Sequence, residues 1–197
     1  MKLQEVLDFL LDSLKILIIA LIIVIPIRTF LFQPFIVKGS SMEPNYHSGD
    51  YLIIDELSYR LRDPQRGEVV VFRYPRNPQE YFIKRIIGLP GEEIQIRDGQ
   101  VVIYNEQNQN GFFINEAFLE EGMFTYSANQ DRISLAVDEY YVLGDNRSAS
   151  LDSRSFGPLK KQFITGRVFF RGWPFDRVQV FKQLPDFGLT PEVNSID

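Results

Sequence analysis

Two adjacent serines, Ser40 and Ser41, sit in the run Lys38-Gly39-Ser40-Ser41-Met42-Glu43-Pro44, and Gly49-Asp50 follows shortly after. Glycines and a proline around a serine pair describe a tightly turned loop that holds a hydroxyl at a fixed place. By itself the pattern favours a structural turn over the seat of a nucleophile. A serine hydroxyl becomes nucleophilic near neutral pH only beside a base, and histidine is the usual partner. His47 is the single histidine of the chain and lies six positions after Ser41 in the same loop. Its ring would have to fold back on its own segment, so a Ser-His-Asp triad is disfavoured and His47 reads as a loop residue.

A lysine can replace histidine if its site strips water from the ammonium, because desolvation disfavours the charged form and lowers the pKa. In Tyr81-Phe82-Ile83-Lys84-Arg85-Ile86-Ile87-Gly88-Leu89-Pro90-Gly91, strand alternation puts Lys84 on the face of Phe82 and Ile86, with Arg85 on the other. Lys84 is the best base candidate; an edge-strand lysine that guards against aggregation is the competing reading. A third cluster, Gly144-Asp145-Asn146-Arg147-Ser148-Ala149-Ser150-Leu151-Asp152-Ser153-Arg154, interleaves hydroxyls, carboxylates and arginines. It suits a loop whose backbone is locked by bidentate Asp-Arg pairs. Asp145, Asn146 and Asp152 match no calcium-loop spacing, so no metal is expected.

These loops need strands to carry them. Phe35 with Val37, and segments 51–54, 68–74, 81–87, 93–97, 100–104, 139–143 and 166–171, are short, rich in β-branched and aromatic residues, and bounded by Gly, Pro, Asp or Asn. The body is therefore mainly β, with Asp98-Gly99 as a hairpin turn. Helical turns are expected at 58–62 and 160–163. Residues 105–134 are polar, rich in Asn and Gln, and carry no clear period, so they read as an excursion from the β core; residues 184–197 read as a loose tail.

Ahead of the body, residues 14–32 contain only two charges, Lys15 and Arg28, and approach the length a bilayer core demands. Residues 1–13 place Leu3, Val6, Leu7, Leu10 and Leu11 at helical spacing opposite Glu5, Asp8 and Asp12, an amphipathic lead-in. The expected organisation is thus a lead-in (1–13), a single transmembrane anchor (14–32), a β domain (33–183) and a tail (184–197). The positive-inside rule does not orient the anchor, because Lys2 and Lys15 face Arg28 and Lys38 across it. A net charge of −5 without a basic stripe argues against nucleic acid as partner. The absence of cysteine excludes disulfides and thiol nucleophiles, and one histidine excludes a histidine-rich metal site.

Behind an apolar N-terminal segment, the order Ser-Met-x-Pro, Lys-Arg-Ile-Ile-Gly-Leu-Pro-Gly and Gly-Asp-Asn-Arg followed by Asp-Ser-Arg resembles the signature boxes of type I signal peptidases, over about residues 33–172. The resemblance implies a membrane-bound serine endopeptidase that removes signal peptides from exported preproteins, cutting after small residues at the first and third positions before the scissile bond. It implies a barrel-like antiparallel β body with a small inserted subdomain, assigned to 105–134, and no cofactor. Ser41 is then the nucleophile and Lys84 the general base. Ser150 occupies the position whose hydroxyl orients the lysine, and Asp152 and Arg154 support the active-site loop as an ion pair. The oxyanion would meet the Ser41 N–H; Gly39 stands where some members supply a serine hydroxyl, which leaves the second donor open. Phe35, Val37 and Ile83 match pocket-lining positions. The expected partners are preproteins and the bilayer, with the catalytic domain on the trans side of the membrane. Two rivals are a self-cleaving repressor-type serine-lysine peptidase and a tethered β module without catalysis.

Overall fold

In the computed structural model, which describes residues 3–30, 32–128, 131–182, 184, 187 and 189–190, the chain opens with one helix, α1 (Leu3–Phe30). Lead-in and expected anchor are therefore continuous, and the expected anchor ends too late, because Phe32 already begins strand β1 (Phe32–Ile36). Among the described residues no helix is long and apolar enough to cross a membrane. The described middle of α1 nevertheless exposes Phe9, Leu10, Ile16, Ile19 and Ile22 over more than half of their surface. The lead-in stripe at Leu3, Val6 and Leu7 falls outside the described side chains.

The body then runs β2 (Tyr51–Asp55), α2 (Ser58–Leu61), β3 (Val69–Tyr74), β4 (Asn77–Gly88), β5 (Glu93–Arg97), β6 (Gln100–Asn105), β7 (Asn108–Ile114), β8 (Ile133–Ser134) and β9 (Glu139–Leu143). After α3 (Ser153–Phe156) come β10 (Leu159–Lys160), β11 (Ile164–Trp173), β12 (Gln179–Val180) and β13 (Leu189–Thr190). The fold is mainly antiparallel β, as expected, in two sheets. One has the order β1, β2, β11, β3, β4, β9, β10, with β12 beside β11; the other has the order β13, β7, β6, β5, β8. The first sheet ends at β1 and β10, which do not pair with each other among the described residues.

Central strands read as unbroken apolar runs because both faces are covered. In β3, Val69 and Val71 point into one core with Met42, Leu52, Ile54 and Val168, while Val70 and Phe72 point into another with Ile86, Tyr140, Val142 and Leu159. A third core, formed by Ile94, Ile96, Val101, Ile103, Phe112 and Ile114, closes on Ile87, Tyr141 and Leu143. It joins the two sheets directly behind β4 and β9, the strands that lead to two of the three chemical clusters.

The inserted part differs from the expected 105–134. Strands β5 and β6 already belong to the second sheet, β7 lies within the stretch that lacked periodicity, and β13 pairs with β7 from the expected tail. Residues 191–197 of that tail lie outside the described residues. β7 was hard to read because only Phe112 and Ile114 along it are buried, so its first half is as polar as a loop. At the β5–β6 turn, Asp98 and Gly99 both take positive φ, +53° and +80°, which gives the tight hairpin.

Candidate active site

Ser41 follows β1 in a loop stitched by short backbone bonds. The Glu43 N–H donates to Ser40 O at 3.1 Å, the Tyr46 N–H to Met42 O at 2.9 Å, and the Val37 and Gly49 N–H groups close the loop's neck on Asp50 O and Val37 O at 2.9 Å each. Met42 and Tyr46 anchor it in the core at 1% and 3% exposure. Gly39, at φ +86° with open space around its Cα, is needed for its backbone conformation and not for room.

Lys84 comes from β4, which pairs with β3 along its outer part and with β9 only from Arg85 onward. Its Nζ is 2.7 Å from Ser41 Oγ and donates to Ile83 O at 2.8 Å. The expected alternation holds: the ammonium lies 5.4 Å from the centroid of the Phe82 ring, and Arg85 turns to the other face. Lys84 is 3% exposed, and burial pushes its pKa down to about 8, against the opposing pull of Asp152 and Asp145. The edge-strand guard reading therefore fails, since a guarding lysine must reach solvent.

The third cluster folds over the first. The Asn146 N–H donates to Ser41 O at 3.0 Å, so the strand end after β9 holds the peptide that follows Ser41. Asp152 caps α3 and binds Arg154 through both carboxylate oxygens, each at 2.8 Å, while the Gly144 N–H donates to Oδ2 at 3.1 Å. Burial works against the Asp152 charge, but Arg154 and the Gly144 N–H outweigh it and hold the carboxyl below its usual range.

Ser150 lies in the same loop, beside Asp152. Its hydroxyl is buried, makes no hydrogen bond of normal geometry to Lys84 or any other group, and adds only the least of the influences that keep Asp152 ionised. Ser150 instead packs against Gly144. A Cβ at residue 144 would stand 2.2 Å from Ser150 Oγ and 2.4 Å from Ser41 O. Gly144→Ala is therefore expected to push the Ser41 carbonyl away from Asn146 and to cut kcat by about 10²-fold, since a displacement near 1 Å at a reacting group costs that much. Initial rates of peptide cleavage check it. Wild-type kcat in the alanine variant would show that the loop yields without moving Ser41.

His47 takes no part at Ser41. Its Nδ1 accepts from the Arg177 guanidinium, and its backbone N–H donates to Asp50 Oδ2 at 3.1 Å. Asp145 and Asp152 are each engaged by an arginine.

Ser41 and Lys84 stand in the wall of a groove of about 610 Å³. Phe35, Val37 and Ile83 all line it, together with Leu52, Val71 and Phe82, and the flanks of Ser150, Ala149 and Leu151, close it on the third side. Its edges are β1, the last strand of its sheet, and the outer half of β4.

Residues 10–173 match the family described as signal peptidase, peptidase S26. The chain belongs to this family. A probable signal peptidase I-2 of Synechocystis sp. is 40% identical over 170 residues, which covers 83% of this chain and 73% of that protein. Signal peptidase I of Bacillus amyloliquefaciens is 33% identical over 174 residues, 87% of this chain and 92% of its own. The crystal structure of a signal peptidase I from Enterococcus faecalis V583 is 30% identical and matches 54% of this chain and 97% of that one with a TM-score of 0.44. As a member of the signal peptidase family, the chain is a serine peptidase, a hydrolase.

Three contributors had no individual signal in the sequence. Gly144 is required by a clash across the fold, Asn45 donates to Asp145 Oδ2 at 2.9 Å, and Arg85 forms a buried pair with that same carboxylate. The adjacent glycine, aspartate and asparagine of the third cluster hinted only at a constrained loop.

Proposed function

We propose that this chain removes signal peptides from exported preproteins with a Ser41–Lys84 dyad, cutting after small residues at the first and third positions before the scissile bond. The observation that carries the reading is the 2.7 Å approach of a buried Lys84 amine to Ser41 Oγ at the wall of an apolar groove. In its neutral form Lys84 takes the hydroxyl proton as Oγ attacks the scissile carbonyl, and the ammonium so formed protonates the leaving amine. Lys84 then deprotonates the water that hydrolyses the acyl ester. Ile83 O fixes one Lys84 N–H and so aims the remaining lone pair at Oγ. The oxyanion meets the Ser41 N–H, while the Asn146 N–H holds the Ser41 carbonyl on the other side of the same residue.

Asp152 and Arg154 support the loop as an ion pair, and Ser150 fills the space over Gly144. An extended substrate pairs with the free edges of β1 and outer β4, while Phe35, Val37 and Ile83 leave room for small side chains only. Residues 14–30 anchor the enzyme in the bilayer, with the β domain (33–183, including its inserted part) on the trans side. Only eight residues (33 to 40) separate Phe32 from Ser41, so the groove lies near the membrane, where a signal peptide emerges at high effective concentration.

The test is cleavage of a preprotein bearing an Ala-x-Ala site by detergent-solubilised wild-type and Ser41→Ala protein, with the new N-terminus sequenced. Cleavage after the second alanine is expected from the wild type alone. Turnover by Ser41→Ala would remove Ser41 from the chemistry.

A further inference from the structure

Arg147 has no part in the proposed chemistry, yet its side chain is only 1% exposed and each of its three nitrogens donates a hydrogen bond. Its Nε donates to Gly144 O at 3.0 Å. Its Nη1 donates to Glu116 Oε2 at 3.0 Å and to Thr125 Oγ1, and Nη2 completes a bidentate pair with Glu116 Oε1. Glu116 and Thr125 belong to the segment between β7 and β8, outside every signature box. That segment meets the site twice more. Phe118 O accepts from Asn45 Nδ2 at 2.8 Å, and Tyr126 O accepts from Arg154 Nη1 at 3.1 Å. The Phe118 ring also lies 4.2 Å from the Arg85 guanidinium.

These contacts converge on the loop that holds the nucleophile. Gly144 packs so closely on Ser41 O that no Cβ fits, and the Asn146 N–H bonds the same oxygen. Residues 144 and 146 are thus a splint for the Ser41 backbone, and Arg147 is the next side chain along. A short loop has little core of its own to hold it, so its position must come from what it is tied to. A guanidinium fork binding a carboxylate through two parallel bonds sets orientation as well as distance.

We propose that Glu116 and Arg147 are positioning residues for the hydrolysis: their buried pair, with Thr125, ties the segment 115–126 to the Gly144 loop and so sets the Ser41 backbone against Lys84. The second sheet is then part of the catalytic apparatus, not an ornament beside it. This rests on the Ser41–Lys84 reading.

The full chain in detergent, assayed on a peptide with an Ala-x-Ala site, supplies kcat, KM and the pH–rate profile for wild type, Glu116→Ala, Glu116→Gln and the Glu116→Ala, Arg147→Ala double variant. Glu116→Ala is expected to lower kcat at least about tenfold while KM moves less than about twofold, because binding along the groove survives and alignment does not. Its acid limb should move to higher pH as water reaches Lys84. Glu116→Gln, which keeps an acceptor for Arg147, should recover most of kcat, and the double variant should be no worse than the single one. A Glu116→Ala enzyme with wild-type kcat and acid limb overturns the proposal, as does full additivity in the double variant. If Glu116→Ala does not fold, Thr125→Val carries the test, with about a threefold loss of kcat expected for one missing acceptor and wild-type kcat overturning the idea. Ser41→Ala run alongside separates the levels: turnover there removes the dyad itself, whereas an inactive Ser41→Ala with an unaffected Glu116→Ala removes only the tie.

Discussion

Lys84→Arg is expected to fold and to lose about 10²–10⁴-fold in kcat or more, the usual contribution of a general base. A guanidinium keeps its proton at any pH a protein survives, so it can stand beside Ser41 and never accept from it. Lys84→Met separates charge from shape. It should be equally inactive and yet more stable at pH 7, because the wild-type lysine binds its proton less readily folded, at a pKa of about 8, than unfolded near 10.5. Below pH 8 both states are protonated and the folded state carries the whole cost, which fades between pH 8 and 10.5, where the folded lysine has given up its proton and the unfolded one still holds it. The cost is about 3 kcal/mol, and Lys84→Met should recover about 1–2 kcal/mol of it, since Ile83 O and Ser41 Oγ lose their partner. Urea unfolding at pH 7 and at pH 10.5 checks this, with the advantage of the methionine variant shrinking at the higher pH. In the wild type the acid limb of kcat/KM is expected near pH 8, with activity falling as the pH drops below it. No stability gain and no limb near 8 would mean that the ammonium is well solvated, and a solvated ammonium is no base.

Asp145→Ala should be the most destabilising single change near the site, by about 3–5 kcal/mol. Asp145 is 1% exposed and Arg85 6%. They share two bonds, Nε to Oδ1 at 2.8 Å and Nη2 to Oδ2 at 2.5 Å, and Arg85 Nη1 also donates to Gly67 O at 2.9 Å. Removing the carboxylate leaves a guanidinium buried among Tyr46, Phe118 and Val69 with one carbonyl for company, and it leaves Asn45 Nδ2 with Phe118 O as its one remaining partner of the two. Replacing both partners, Arg85→Met with Asp145→Leu, should restore most of the loss, because a pair replaced by apolar groups leaves no orphaned charge. Unfolding midpoints of the single and double variants measure both steps. A loss under about 1 kcal/mol for Asp145→Ala would show that water reaches Arg85 when its partner is gone.

The strands around the chemistry were legible because their physics is local. Alternation along 81–87 puts Lys84 beside Phe82 and away from Arg85, and the fold keeps that arrangement. Asp98-Gly99 announced its hairpin because positive φ at two successive residues demands such a pair. The second sheet was not legible to the same degree. β7 is half polar, β8 and β13 are two residues each, and strands of that length take their identity from the partner they pair with. The self-cleaving repressor reading falls with membership of the signal peptidase family.

Residue type and order determined which groups are available for chemistry: no cysteine, one histidine too near the serine pair to serve, and a lysine on an apolar strand face. They determined the mainly β character as well, because side-chain period and turn chemistry are written residue by residue. The tertiary structure decided which groups meet. It brings Lys84 to Ser41 from 43 positions away, sends His47 to Arg177 instead, leaves Ser150 against Gly144 without a bond to the lysine, and draws Glu116 under the loop that holds Ser41. Those pairings depend on how two sheets stack and on close packing across them, quantities that no local pattern contains.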